Sequence, residues 1–396
     1  MQRFSGSFTQ QETIPPEAVA AAIAVLTSGR LHRYNLTAGE VGEVAALEAE
    51  YREWQGSGYC LAVTSGGQAI QVALRACGVT PGDAVLCNGF TLAPVPGAIE
   101  AVGGRSVLVE VDQDLRLDLD DLAGKIETSG ARFLLVSHMR GHLCDMARLM
   151  QLCDSAGVTV IEDCAHTMGA RWNGTRSGNF GKVGCFSTQT YKHMNSGEGG
   201  FLTTDDPELA ARATILSGSY MLFERHGAGP DAADFERARY EMPNCSARMD
   251  ALRAAILRPQ LARLEASIAR WNDRYTTVEA GLRDAQGIVT IRRPQQESLV
   301  GSSIQFRVPG FSADQCRALL AAATARGVEL KWFGAAEPAG FTSSHHSWRY
   351  VAAQALPRTD ATLASLFDMR LPLTFSVQDC TLIAALICDA VAEAAA

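Results

Sequence analysis

Near-continuously apolar, β-branched or Leu-rich runs of four to five residues recur through the first half of the chain, at Tyr59–Val63, Ala84–Cys87, Ser106–Val109, Phe133–Val136 and Val158–Ile161. Between them lie stretches with helical spacing at Gly67–Cys77, Pro94–Val102, Leu119–Ser129 and Met146–Ala156. A strand covered on both faces needs apolar side chains at nearly every position, whereas a half-exposed strand alternates. The succession therefore predicts an α/β body with an open, mainly parallel sheet. Further along, Phe186–Ser187 and Gly200–Thr204 flank a glycine-rich segment, and a long helical stretch from Arg248 to about Leu282 leads away from that body. Pro259 inside the stretch predicts a kink or a break, because proline lacks the N–H of the helix ladder. From about Arg283, strand candidates at Ile288–Ile291 and Ser303–Val308 join helices at Ala313–Arg326 and near Thr381–Ala394. They predict a smaller α+β unit. The expected division is a large domain with an N-terminal arm over residues 1–250 and a linking helix with a small domain over 251–396.

Composition narrows the function. The 396 residues are 20% charged and 47% hydrophobic, an ordinary soluble balance. The formal charge of −8 disfavours nucleic acid or an anionic membrane as a partner. No apolar stretch approaches the ~20 residues that span a bilayer, and the opening MQRFSGSFTQQETIPP lacks the apolar core of a signal peptide, so the cytoplasm is the expected compartment. The eleven cysteines are odd in number, scattered and without a C-x-x-C pair; they are expected to be buried fillers, neither a disulfide framework nor a zinc ribbon.

Ligands of open α/β sheets bind beyond the carboxyl ends of the strands, so the polar residues after each apolar run are the first candidates. Val63-Thr64-Ser65-Gly66-Gly67 runs from a strand into a helix, and free N–H groups beside a hydroxyl, with no side chain in the way, suit a phosphate as well as an ordinary helix cap. Glu162-Asp163-Cys164-Ala165-His166 puts two carboxylates at a strand end; one could hold a protonated ring nitrogen, and the spacing with Cys164 and His166 matches no standard zinc pattern. Ser187 to Gly200 surrounds Lys192 with hydroxyl, amide and aromatic neighbours and a Ser-Gly-Glu-Gly-Gly turn. A surface charge and a desolvated Schiff-base lysine are both compatible with that setting. His138 and His142, four apart, sit in a loop broken by Gly141, which favours packing or orienting roles over a metal face. A phosphate cradle, a carboxylate, a Schiff-base lysine and the aromatic Phe90 together are the parts of a pyridoxal phosphate site.

These residues resemble the DegT/DnrJ/EryC1/StrS aminotransferases, sugar and cyclitol enzymes of the aspartate-aminotransferase type I fold. The likeness is carried by the Thr-Ser-Gly turn, Pro81-Gly82-Asp83, Gly89-Phe90-Thr91, His138-x-x-Gly141, Glu162-Asp163-x-Ala165-His166, Phe186-Ser187, and Lys192 leading to Gly197-Glu198-Gly199-Gly200. It implies a seven-stranded large domain, pyridoxal 5'-phosphate held covalently by Lys192, Asp163 on the pyridinium nitrogen, Phe90 stacked on one ring face and His166 near the other. Ser65, Gly66, Gly67 and Ser187 would hold the phosphate. It implies no metal, and a homodimer whose sites are shared across subunits. An amino acid, glutamate or glutamine, would give its amino group in a ping-pong reaction to a ketone of a sugar, cyclitol or related small metabolite, with the freed Lys192 amine as base and then acid. Three departures stand out. Gly67 replaces a usual Thr, Arg140 replaces a usual Tyr or Phe, and Ser246 stands where the family has the Asn of a cross-subunit phosphate contact, leaving Asn244 as its substitute. The competing readings are a pyridoxal phosphate lyase, dehydratase or C–C bond-forming enzyme, and a non-catalytic cofactor sensor.

Overall fold

The computed structural model describes residues 2–37, 39–338 and 343–396. Seven strands form the central sheet: β1 (Tyr59–Val63), β2 (Ala84–Asn88), β3 (Arg105–Val109), β4 (Phe133–Ser137), β5 (Thr159–Asp163), β6 (Val183–Ser187) and β7 (Gly200–Thr204). Their spatial order is β1-β7-β6-β5-β4-β2-β3. Neighbours from β6 to β3 pair in parallel, and β7 runs antiparallel to both β6 and β1.

The near-continuous apolarity of these strands has its reason in two packed faces. Cys60, Ala62, Leu134, Val136, Val160 and Phe186 join a core beneath the helices Glu43–Gln55, Leu119–Ser129, Met146–Ala156 and Ala251–Leu261. Leu61, Val63, Phe133, Leu135, Ile161 and Cys185 point the other way, against Gly66–Ala76, Pro94–Ala101 and Pro207–Ser217. Each large aliphatic or aromatic side chain removed from water in this way contributes roughly 1.5–3 kcal/mol. Alternation along the strands also sorts the polar ends. Ser137, Asp163 and Ser187 continue the face that packs on Gly66–Ala76, while Glu162 continues the opposite one.

The helices stop and start where their caps dictate. Ser65 accepts the Gln68 amide at 3.1 Å to open Gly66–Ala76, and Asp145 and Asp206 cap Met146–Ala156 and Pro207–Ser217 in the same way. The expected helix from Arg248 to Leu282 is two helices, Ala251–Leu261 and Leu264–Arg283. Pro259 lies inside the first, and the break falls three residues later, at Ala262–Arg263.

A second sheet carries β8 (Ser303–Arg307) antiparallel to β9 (Leu366–Arg370), with short edge strands Val289–Thr290 and Lys331–Trp332. The helices Ala313–Ala325 and Val377–Ala395 cover it, the latter opened by a Ser376–Asp379 capping box. Residues near the amino terminus pack here as well, with Phe4, Phe8 and Phe375 meeting edge to face. Among the described residues no helix is long and apolar enough to cross a membrane, and every cysteine is unpaired.

Candidate active site

The carboxyl ends of β4, β5 and β6, the Ser65–Gly67 turn and the end of β9 surround one cleft of about 610 Å³. Lys192 reaches it from the loop joining β6 to β7. That loop is closed at its neck by Thr188 N donating to Gly199 O at 2.9 Å and Ser196 N to Thr188 O at 3.0 Å. A side chain on Gly199 would collide with Thr188 Oγ1 at 2.3 Å, so glycine is required for the closure.

The Lys192 amine stands 2.9 Å from Nε2 of His166. Burial pushes its pKa down to about 7; the Asp163 carboxylate opposes this shift, and the Arg140 and Arg370 guanidiniums add to it. His166 is held well below the ordinary imidazole range by burial and by the cations Lys192 and Arg140. A lysine that is neutral near physiological pH is a nucleophile, which an exposed lysine is not.

Asp163 closes β5, and its carboxylate is fixed at both oxygens. Oδ2 accepts the Ser137 hydroxyl at 2.8 Å and Oδ1 accepts the Ala165 amide at 3.1 Å. Ser137 Oγ in turn accepts from Thr91 Oγ1 at 2.8 Å, and its backbone is clamped by the Asn88 side chain. Glu162, one residue earlier, lies on the other face and is fully buried. It accepts from Gly178 N, Phe180 N, Gly181 N and His138 Nε2, all within 3.0 Å. Those donors hold its carboxyl below the usual range in spite of burial. Glu162 is a structural anchor, and His138 belongs to it.

The Ser65–Gly67 turn approaches Ser187 so closely that a Cβ on Gly66 would sit 2.8 Å from Ser187 Cβ, and one on Gly200 would sit 2.6 Å from the Ser65 backbone. The result is a shallow cradle of helix-start N–H groups and a hydroxyl, open at Gly67, where an added Cβ would find nothing nearer than Ser65 Oγ at 3.8 Å.

A model of the DegT/DnrJ/EryC1/StrS aminotransferase family matches residues 14–385. The chain belongs to this family. The 3-amino-5-hydroxybenzoate synthase of Amycolatopsis mediterranei (strain S699) is 31% identical over 283 residues, 70% of either chain. The dTDP-3-amino-3,4,6-trideoxy-alpha-D-glucose transaminase of Streptomyces venezuelae is 34% identical over 283 residues, 70% of this chain and 68% of that one. A crystal structure of 3-amino-5-hydroxybenzoic acid synthase superposes with a TM-score of 0.84 at 25% identity, covering 98% of this chain and 99% of the other. The protein is thus an aminotransferase with the fold of the pyridoxal phosphate enzymes of type I.

In this aminotransferase the cleft brings together Ser65, Gly66, Gly67, His166, Ser187 and Lys192, with Asp163 fixed at the end of β5. One residue departs from the sequence reading. Phe90 does not line the cleft. Its backbone bridges Ser344, and its ring is fully buried edge to face with Phe333, 4.9 Å between centroids, in an apolar cluster with Val111, Met139 and Leu366. Leu92 and Ala93 take the wall position instead. Asn244, expected to reach the phosphate of a partner subunit, lies outside this chain's own cleft, where it is exposed and accepts the Ser246 amide at 2.9 Å beside Gly218. Residues not anticipated as site residues line the cleft as well, namely Leu92, Arg140, Tyr191, Ser303 and Arg370.

Arg140 is the least expected of these. Its backbone is left-handed at φ 55°, ψ 23°, its amide donates to His166 Nδ1 at 3.3 Å, and its buried guanidinium pairs with Asp368 at 2.9 Å. A side chain in place of glycine here costs roughly 1–2 kcal/mol. What it gains is a bond between the histidine loop and β9.

Proposed function

We propose that the protein binds pyridoxal 5'-phosphate in this cleft and moves an amino group from glutamate or glutamine to a ketone of a sugar, cyclitol or related small metabolite. The observation that carries this reading is the desolvated Lys192 amine, standing in one cleft with a hydrogen-bonded carboxylate and an anion cradle. The residues present fit the group. Lys192 would hold it covalently, Asp163 would hold the proton of its ring nitrogen, and Ser187 with the Ser65–Gly67 amides would hold its phosphate. When bound, pyridoxal phosphate supplies a carbon that exchanges imines and a ring that accepts the electron pair released at the substrate carbon.

The chain's own groups do the rest. Ser137 and Ala165 donate to Asp163 and so fix the carboxylate that would face the ring nitrogen. Lys192, once released, is the base that takes up a proton at Nζ, and His166 Nε2 is within hydrogen-bond distance to orient it. Leu92 and Ala93 line the same cleft and give it an apolar wall.

A homodimer sharing its sites completes the reading, as do two domains meeting near residue 250 and a cytoplasmic location. The helix Pro16–Ser28 buries Ala18 and Val25 against Ala251–Leu261, yet Val19, Ile23 and Leu26 form an exposed apolar stripe on its other side. A second copy would cover the stripe, and the exposed Asn244 would then serve the partner's phosphate. Purified protein incubated with pyridoxal phosphate should give a visible cofactor band that glutamate or glutamine bleaches to the pyridoxamine form, and Lys192→Ala should not. Light scattering should give twice the chain mass, and Ile23→Glu should lower it. A band that no amino donor changes would overturn the reading.

A further inference from the structure

A cluster of metal-ligating side chains lies outside the Lys192 cleft. Among the described residues two groups bring three such atoms within 4.8 Å of one another. One, His138 with Glu162 and Cys164, is buried, and its carboxylate is already filled by three backbone N–H groups. The other is His345, His346 and Asp360, where Nε2 atoms of the two imidazoles stand 2.8 Å and 3.0 Å from the same carboxylate oxygen, Oδ1. None of these three residues lines the cleft.

Side chains of consecutive residues ordinarily diverge, by about 100° on a helix and to opposite faces on a strand. Here the short turn His345–Ser347 lays the two rings against each other, 3.9 Å between centroids and 38° apart in plane, and both Nε2 atoms converge on one point. Among the described residues no lysine or arginine ion-pairs with Asp360. Zinc–ligand bonds of about 2.0–2.2 Å at tetrahedral angles hold donor atoms about 3.3 Å apart, so the two N···O distances have to open by only about half an ångström or less. Two imidazoles and one carboxylate leave a tetrahedral position for water. It faces solvent, because the His345 side chain is 3% exposed while those of His346 and Asp360 are 66% and 40% exposed.

The cluster joins the two ends of a strap. From Ser344 to Thr359 the chain runs along β3, the edge strand of the central sheet. Ser344 bridges Phe90, the Gln354 side chain accepts the Leu108 amide at 2.9 Å and donates to Ser106 O at 3.0 Å, and Thr359 Oγ1 accepts the Val111 amide at 3.0 Å. His346 and Asp360, fourteen residues apart, meet where the strap begins and ends.

We infer that His345, His346 and Asp360 form a site for a divalent transition metal, Zn²⁺ by the chemistry of the ligands, and that the ion clips the strap shut across the sheet edge. The site stands apart from Lys192, and the inference does not depend on the reaction there.

The test uses the full chain without an affinity tag, loaded with pyridoxal phosphate, stripped of metal with EDTA, dialysed, and titrated with zinc chloride against a chromophoric competitor. The wild type should take up one Zn²⁺ per chain, and His346→Ala and Asp360→Asn should each bind it at least about tenfold more weakly. Both positions are exposed, and unchanged cofactor absorbance reports that the variants are folded. Lys192→Ala, which lacks the covalent cofactor, should bind zinc as the wild type does. Zinc should also slow amide hydrogen exchange along residues 344–360 in the wild type and not in His346→Ala. No uptake, uptake that either substitution leaves unchanged, uptake lost in Lys192→Ala, or binding without slower exchange in the strap would overturn the proposal.

Discussion

His166 sits between two nitrogen partners that fix its proton: Nδ1 accepts the Arg140 amide, and Nε2 faces the Lys192 amine at 2.9 Å. With Nδ1 accepting, the neutral ring carries its hydrogen on Nε2 and donates it to Lys192, which can accept only as the free amine. The depressed pKa values of both groups agree with that arrangement.

The first prediction is a pH profile. Because burial lowers Lys192 from 10.5 to about 7, the neutral amine predominates above about pH 7. Apoprotein should therefore capture added pyridoxal phosphate at a rate that rises through about pH 7 and then levels off. Asp163 opposes the shift, so Asp163→Asn should move the inflection to lower pH. An inflection near the ordinary lysine value in the wild type would contradict the geometry.

Ser137 is expected to matter out of proportion to its size. Its hydroxyl links Thr91 to the Asp163 carboxylate, and a hydrogen bond to a charged group contributes about 1.5–3 kcal/mol. Ser137→Ala should retain the fold and lower the single-turnover rate by about tenfold or more. Asp163→Asn, which removes the charge itself, should cost about 10²-fold or more.

Gly67 offers a gain. An added side chain meets only ordinary contacts there, whereas one on Gly66 meets Ser187 at 2.8 Å. Gly67→Thr should supply a hydroxyl to the cradle and tighten pyridoxal phosphate several-fold, one hydrogen bond being worth about 1 kcal/mol. Gly66→Ala should weaken it. Equilibrium dialysis of apoprotein with cofactor reads both.

Glu162→Gln should separate stability from chemistry. The amide would turn an N–H toward one of the backbone N–H groups of Gly178, Phe180 or Gly181 and leave a buried donor unmatched. A loss of about 2–4 kcal/mol is expected, read as a lower denaturant midpoint, while turnover per folded molecule stays close to wild type.

The parts of the fold that were legible in the sequence are those set by local rules. The apolar runs marked β1 to β5 because a doubly covered strand cannot alternate, and helical spacing marked the helices between them. The end of β5 was drawn two residues short, since Glu162 and Asp163 read as loop chemistry until their backbone pairing with β4 is seen. Phe90 was misplaced because an aromatic after a strand is equally at home in a cleft wall or a core, and only the return of Ser344 and Phe333 decides for the core. Arg370 carried no signal at all. It lies 178 positions beyond Lys192 in the chain, and an arginine closing a strand reads as a solvated charge until the second sheet brings it to the cleft.

The adjacent carboxylates of β5 have a consequence for mutation by insertion and deletion. Glu162 and Asp163 are nearly the same chemically and are told apart only by the pleat of one strand. Losing a single residue between Thr159 and Ile161 would turn both carboxylates to the opposite face, putting Asp163 where the Glu162 anchor sits among the packed helices and Glu162 in the buried place of Ile161, one pleat short of the cleft. Substitutions in that short run can be graded; a frame-preserving deletion there is all or nothing, failing at folding and chemistry together.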